Sequence, residues 1–378
     1  MLPEPALSFT IPSLHDGTVL DCRVYHPASL AAANPRAPPW ERHAAVVAHP
    51  YAPMGGCYDD PTLDSVAAAL LRTGYLVATF NFRGAGHSAG RTSWTARPER
   101  DDYASVVGFT VHYAHFLDPF ADGAPRRQRP VLLMGGYSYG AMVTAQMPPL
   151  DRLLEPFARP RAGSHAAQVR LRAQHLAEQQ NLVLGSARSA RRPGAVRVGG
   201  DEGRKSRDSF HVGRRSFSLD DAEDRLRRGV RRMARRSASS HRGGGGGEEP
   251  PDPAETLPAV EGLLRPRPAY LLVSPLQGVV THLATMALLP WPRAGRRRDD
   301  DAGERKLVEN ATLAVFGDRD VFVPVARLRA WVARLGGQGS LFAAREVASA
   351  GHFWGEDGVL DLMTESVEAF AAGLMRGA

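Results

Sequence analysis

The stretch Gly136-Tyr137-Ser138-Tyr139-Gly140 carries the sharpest chemical signal in the chain. It follows an apolar run, Val131–Met134, and precedes AMVTAQM, which suits a helix. G-x-S-x-G between a strand and a helix sets a serine on a sharp, strained turn with its hydroxyl exposed. Glycines at 136 and 140 let neighbouring chain approach where a Cβ would collide. The amides that open the following helix favour negative charge beside Ser138. A serine hydroxyl is a weak nucleophile until a base takes its proton, and the base needs an acid to orient it. For this turn the chain order is serine, acid, histidine. Gly317-Asp318-Arg319-Asp320 follows the apolar run Thr312–Phe316, and Gly351-His352 follows the last such run. Asp320 is the preferred acid, because three residues past Gly317 it has cleared the turn and can fold back toward a histidine. Asp318 is then a turn or capping residue. Among 13 histidines, His352 is set apart by its loop, Ala350-Gly351-His352-Phe353, and by following the acid. It is the expected general base.

Acyl transfer passes through an oxyanion, which needs two N–H donors already in place. The amide of Tyr139, next to the serine, is one candidate. The other is expected from the loop His49–Gly56, with Tyr51 first and Ala52 second, since Pro50 and Pro53 have no N–H. His49 precedes the nucleophile and is read as a residue that shapes this loop.

These residues must be carried by strands that end on one edge of a sheet, where sites of α/β proteins gather. Leu7–Ile11 and Thr18–Tyr25, joined by His15-Asp16-Gly17, read as an antiparallel hairpin. Short apolar runs at Ala44–Ala48, Leu76–Phe80, Val131–Met134, Ala269–Val273, Thr312–Phe316 and Phe342–Val347 read as strands covered on both faces. Helical spacing separates them over Pro61–Thr73, Asp102–Phe116, Val279–Leu289, Pro324–Leu335 and Val359–Leu374. The fold class implied is α/β, a doubly wound and mostly parallel sheet.

That rhythm stops after Leu150. A helix over Ala166–Leu184, with Val169, Ala173 and Leu176 on one face, is followed by Arg/Ser/Gly-rich chain over 185–217. A second helix, Leu219–Arg236, carries seven arginines opposite Leu226, Val230 and Met233, and five consecutive glycines, Gly243–Gly247, read as linker. The sequence therefore predicts a core of residues 1–150 and 256–378, split by a basic, low-complexity insertion over 151–255 with one or two helices. Most of that insertion has too few large apolar side chains to offset the entropy of ordering it.

The formal charge of +7 belongs to the insertion, and the rest of the chain is close to balance. Only Lys205 and Lys306 among 47 basic residues are lysine, a bias typical of a GC-rich genome rather than of a chosen acidic partner. Hydrophobic residues at 43% and charged residues at 23% exclude a wholly disordered or fibrous chain. No run approaches the roughly 20 apolar residues of a membrane span, and the N-terminus has no basic segment followed by an apolar one. Two cysteines, Cys22 and Cys57, exclude a disulfide framework and fit a reducing, cytoplasmic setting.

In these segments the chain resembles the α/β-hydrolase fold enzymes, in particular the serine esterase and serine aminopeptidase-like branch, including fungal-type members. The matching segments are His49–Gly56, Asn81-Phe82-Arg83-Gly84-Ala85-Gly86-His87-Ser88, Gly136–Gly140, Gly317–Asp320 and Gly351–His352, all in the family's order. The resemblance implies Ser138 as nucleophile, Asp320 as acid and His352 as base. It also implies a structural ion pair for Arg83 and a loop role for His87. The chain departs from the family where His49-Pro50 replaces His-Gly, and where Pro148 and Pro149 end the helix after Ser138 early. The insertion stands where the family often places a cap over the pocket.

The function expected is that of a serine hydrolase acting on a carboxylic ester, or a small amide or peptide, through an acyl-enzyme. A binding protein on the same scaffold is the alternative, since fold alone does not give function. A serine at 138 speaks against epoxide hydrolase or dehalogenase chemistry, which would place an aspartate there. No cofactor is expected: no metal-ligand cluster is visible, and Gly84-Ala85-Gly86 lacks the third glycine and acidic partner of a dinucleotide site. The partner expected is a small-molecule substrate. Nucleic acid is not expected, the arginine-rich helix being read as a solvated face.

Overall fold

Along the central strands, successive side chains go to opposite sides and both sides are apolar. Ala44, Val46 and Ala48 join one hydrophobic cluster, while Ala45 and Val47 join another. Leu132 and Met134 part from Val131 and Leu133 in the same way. A strand of this kind is stable only with a helical layer on each face. The computed structural model, which describes residues 1–30, 40–117, 129–189, 256–277, 304–337 and 339–377, supplies both layers.

Eight strands form the sheet: β1 (Leu7–Pro12), β2 (Val19–Tyr25), β3 (Ala44–Ala48), β4 (Leu76–Phe80), β5 (Val131–Tyr137), β6 (Arg267–Val273), β7 (Thr312–Gly317) and β8 (Phe342–Val347). Their spatial order is β1-β2-β4-β3-β5-β6-β7-β8. The pairs β1/β2 and β2/β4 are antiparallel and every later pair is parallel. This is the α/β-hydrolase fold.

The helices are α1 (Pro61–Thr73), α2 (Arg97–Phe116), α3 (Tyr139–Gln146), α4 (Leu150–Ala158), α5 (His165–Ser189), α6 (Val325–Leu335) and α7 (Val359–Met375). A further helical stretch covers 304–309. Helices α1 and α7 cover one face through Leu63, Val66, Met363 and Val367. On the other face lie α2 to α6, through residues such as Tyr103, Met142, Phe157, Val169 and Trp331. At α1, Asp60 accepts the Thr62 and Leu63 amides, Pro61 opens the helix, and Gly74 ends it at φ 105°.

The sequence starts the insertion at residue 151, whereas α4 and α5 pack on the core as far as Ala177 and, partly, Leu184. Leu150, Leu153 and Phe157 of α4 are buried one turn or two apart, and Val169, Ala173 and Leu176 of α5 join them. Helix α4 escapes the sequence reading because it is short and contains Pro156. Helix α2 begins five residues before its expected start, opened by Pro98. Past the insertion, Thr256 bridges to Arg161, and the Leu257 amide donates to the Pro160 carbonyl at 2.9 Å. The expected helices Leu219–Arg236 and Val279–Leu289, and the rest of 190–255, lie outside the described residues. Among the described residues no helix is long and apolar enough to cross a membrane, and Cys22 and Cys57 are free thiols.

Candidate active site

Ser138 joins β5 to α3 in a conformation that L-residues seldom adopt, φ 56° and ψ −112°. Two glycines permit it. A Cβ on Gly136 would sit 2.3 Å from the Gly140 carbonyl carbon, and one on Gly140 would sit 2.2 Å from the Ala48 carbonyl oxygen. The Ser138 amide donates to the Val273 carbonyl at 2.9 Å, so the turn is tied to the end of β6.

His352 and Asp320 reach this turn from the ends of β8 and β7. His352 Nε2 lies 2.8 Å from Ser138 Oγ, and His352 Nδ1 lies 2.7 Å from Asp320 Oδ2. The side chains of His352 and Asp320 are almost wholly shielded from solvent. Asp320 Oδ1 accepts the amides of Phe322 and Val323 at 2.8 and 3.0 Å. Burial alone would raise the Asp320 carboxyl, but its bonds to His352 and to the two amides outweigh that and hold it below its ordinary range. Asp318 points elsewhere and accepts the Ser349 amide at 2.7 Å, which fixes the turn before Ala350. Of the two aspartates, only Asp320 meets the histidine.

Several residues that hold this geometry carried no signal in the sequence. The Tyr137 hydroxyl donates to the His352 carbonyl at 3.0 Å, and the Ser274 hydroxyl approaches the same oxygen at 3.4 Å. Trp354 Nε1 donates to Ser274 Oγ at 3.0 Å. The rings of Phe322 and Phe353 stand edge-on to the imidazole, at 4.6 and 5.4 Å between centroids. Apart from Phe353, what each does depends on a neighbour distant in sequence.

The loop after β3 folds back on itself. The Tyr51 carbonyl accepts from the amides of Met54 and Gly56 at 3.0 and 3.1 Å, Gly55 has φ 88°, and a Cβ on Gly56 would strike the Pro50 carbonyl. The Tyr51 and Tyr139 rings lie 5.1 Å apart, so the two expected amide donors belong to neighbouring residues. The amide of Tyr139, at the start of α3, has no helical acceptor four residues back. His49 is buried and held neutral, its imidazole lowered to about 4 by desolvation. Its Nε2 accepts the Phe82 amide at 2.9 Å and its Nδ1 faces the Pro50 carbonyl at 2.5 Å. His49 thus shapes the loop and does not reach Ser138. Arg83 is buried in an ion pair with Asp102, extended to Asp16, and His87 is an exposed loop residue.

A cleft of about 380 Å³ opens over Ser138, between the Pro50–Gly56 loop, Asp60 and the Phe322 and Phe353 rings. Among the described residues no cluster of histidine, cysteine or acidic side chains suits a metal ion.

Residues 16–152 match the family model of the X-Pro dipeptidyl-peptidases, S15 family. The matched stretch includes the Tyr51 loop and Ser138 and ends before Asp320 and His352. No curated protein matches the chain. Similar solved structures include an α-β serine hydrolase homologue from Coxiella burnetii, 15% identical over 98% of this chain and 99% of that one, with a TM-score of 0.45. A lidless α/β serine hydrolase from Xanthomonas campestris is 14% identical, covering 99% and 97%, with a TM-score of 0.47. The ferulic-acid-bound Est1E of Butyrivibrio proteoclasticus is 13% identical, covering 97% and 99%, with a TM-score of 0.45.

Proposed function

We propose that this member of the α/β-hydrolase superfamily is a serine hydrolase that cleaves a carboxylic ester, or a small amide or peptide, through an acyl-enzyme. The observation that carries the reading is the unbroken chain of contacts from Asp320 through His352 to Ser138, 2.7 and 2.8 Å long. With Nδ1–H donating to Asp320, His352 Nε2 is free to accept the Ser138 hydroxyl proton as Oγ attacks the carbonyl carbon. The proton then passes from Nε2 to the leaving group, and a water activated by the same nitrogen releases the acid. Asp320 stays ionised, orients the ring and stabilises the imidazolium. The amides of Tyr51 and Tyr139 are the donors assigned to the oxyanion. The S15 peptidase match agrees with hydrolysis of an acyl bond without choosing between ester and amide.

Ser138→Ala tests the reading. Turnover of p-nitrophenyl butanoate should fall by at least about 10⁴-fold, and covalent labelling by a fluorophosphonate probe should disappear, while the unfolding midpoint stays within a few degrees. Labelling that persists in Ser138→Ala would place the nucleophile elsewhere. A wild-type protein that neither labels nor turns over esters would instead be a binding protein on this scaffold.

A further inference from the structure

The wall of the cleft over Ser138 is mostly carbon, from Tyr51, Met54, Leu276, Phe322 and Phe353 among others. Among the described residues that line it, the only carboxylate is Asp60. Asp60 caps α1 with a single oxygen: Oδ1 accepts the Thr62 amide at 2.9 Å and the Leu63 amide at 3.0 Å. Among the described residues Oδ2 has neither a hydrogen-bond donor nor a countercharge. The neighbouring Asp59, by contrast, is exposed and paired with Arg23 at 2.5 Å. The first turn of α1 also meets the histidine loop, where the Thr62 hydroxyl donates to the Phe353 carbonyl at 3.4 Å. Desolvation raises the Asp60 carboxyl above its ordinary range, against the pull of the two amides.

A half-buried carboxylate without a cation is unfavourable in an apolar cleft. A neutral ligand would worsen its desolvation and an anionic one would be repelled. A ligand ammonium would relieve it, and the aromatic rings around the same space are themselves good neighbours for a cation. Pockets that are mainly apolar with one placed charge take their specificity from that charge.

We propose that Asp60 is a specificity-determining residue that receives a positively charged nitrogen, so that the preferred substrate carries an ammonium in its acyl group. This rests on the serine hydrolase reading and extends it. Asp60 touches no reacting atom, and its contribution is to substrate binding.

The test uses the full chain and two matched pairs of p-nitrophenyl esters, each read against spontaneous hydrolysis: L-alanyl with 2-methylpropanoyl, and 6-aminohexanoyl with heptanoyl. In each pair a methyl group replaces the ammonium. In at least one pair the wild-type kcat/KM should favour the ammonium ester by about tenfold or more. In Asp60→Asn, which keeps the capping acceptor, that ratio should fall to within about threefold of unity, through KM. Asp60→Ser, a second capping residue, should do the same. Asp59→Asn should keep the wild-type ratio, which separates a local contact from a change in overall charge. The inference is overturned if neither pair shows a preference, or if the preference survives in Asp60→Asn. Cleavage of the neutral esters that depends on Ser138 but shows no ammonium preference removes this inference alone. Cleavage that persists in Ser138→Ala removes the hydrolase reading beneath it.

Discussion

Gly317 ends β7 where the chain passes against the loop that carries His352. A Cβ there would stand 2.0 Å from the Ala350 carbonyl oxygen and 2.5 Å from its carbon. Both atoms are backbone, so no rotation of a side chain relieves the clash. Ordinary non-bonded carbon contacts are about 3.5–4.0 Å, so Gly317→Ala requires the strand end or the loop to move by more than about 1 Å. Two hydrogen bonds cross the same gap, from the Asp318 amide to the Val347 carbonyl at 3.2 Å and from the Arg319 amide to the Ala350 carbonyl at 2.9 Å. Asp320 follows on one side and His352 on the other, and they meet at 2.7 Å. A misplacement of about 1 Å in a reacting constellation costs roughly 10²-fold in rate, and forcing atoms into a packed site costs about 1–3 kcal/mol. Gly317→Ala should therefore lower kcat on p-nitrophenyl butanoate about 100-fold and reduce urea stability by a few kcal/mol at most. Gly355→Ala is the control: it lies on the His352 loop with nothing within 4 Å of its added Cβ, and should stay close to wild type. A folded Gly317→Ala protein with kcat within threefold of wild type would refute the claim that this pinch sets the approach of Asp320 to His352.

Phe157→Ala should cost about 3–5 kcal/mol in urea unfolding, because the ring is fully buried against Gly108 of α2. A loss below about 1 kcal/mol would mean that α4 is an appendage and not part of the core. The depressed carboxyl of Asp320 makes a pH prediction. Its stabilising share is complete above its ordinary value of 3.8 and is lost as pH falls through the lower folded value. The stability difference between wild type and Asp320→Asn should accordingly shrink as urea titrations move from pH 6 to pH 3; a difference that grows would reverse the sign argued here.

Most of the sheet was legible because β3 to β7 are short runs apolar on both faces, and because α1 has a recognisable start and stop. Ala44–Ala48, Pro61–Thr73 and Leu76–Phe80 match their expected limits for that reason, whereas Phe342–Val347 keeps its limits but is an edge strand with Ala343, Ala344 and Arg345 exposed, not one covered on both faces. Local pattern failed at α4, where Pro156 hides a nine-residue helix whose reason for folding is the groove beside α2. Within the candidate site, that Ser138, Asp320 and His352 come together could be read from turn chemistry and chain order. Tyr137, Ser274 and Trp354 could not, because what they do is grip the carbonyl of His352 or each other across 78 to 215 residues of chain. Asp60 was visible only as a residue before Pro61. Its open oxygen is a property of the cleft.

Taken together, these contacts explain how a site built from three loops can be stiff. Side chains on loops are normally the most mobile part of a fold, yet here each loop is fastened backbone to backbone at the sheet edge. Ser138 is held by Val273, and its own turn closes on Ala48 through Gly140. Asp320 and His352 are drawn together by the near contact of Gly317 with Ala350. Ser274, just beyond β6, also has a positive φ, 45°, and its hydroxyl lies between the His352 carbonyl and the Trp354 indole. Unfavourable backbone thus sits at the ends of two adjacent strands, β5 and β6, where Ser138 meets the imidazole of His352 and Ser274 its carbonyl. Strain of this kind, about 1–3 kcal/mol per residue, persists only where surrounding structure over-determines it. The strands supply that constraint, and in return the serine hydroxyl is held within reach of His352 without any long side chain having to be ordered when substrate arrives.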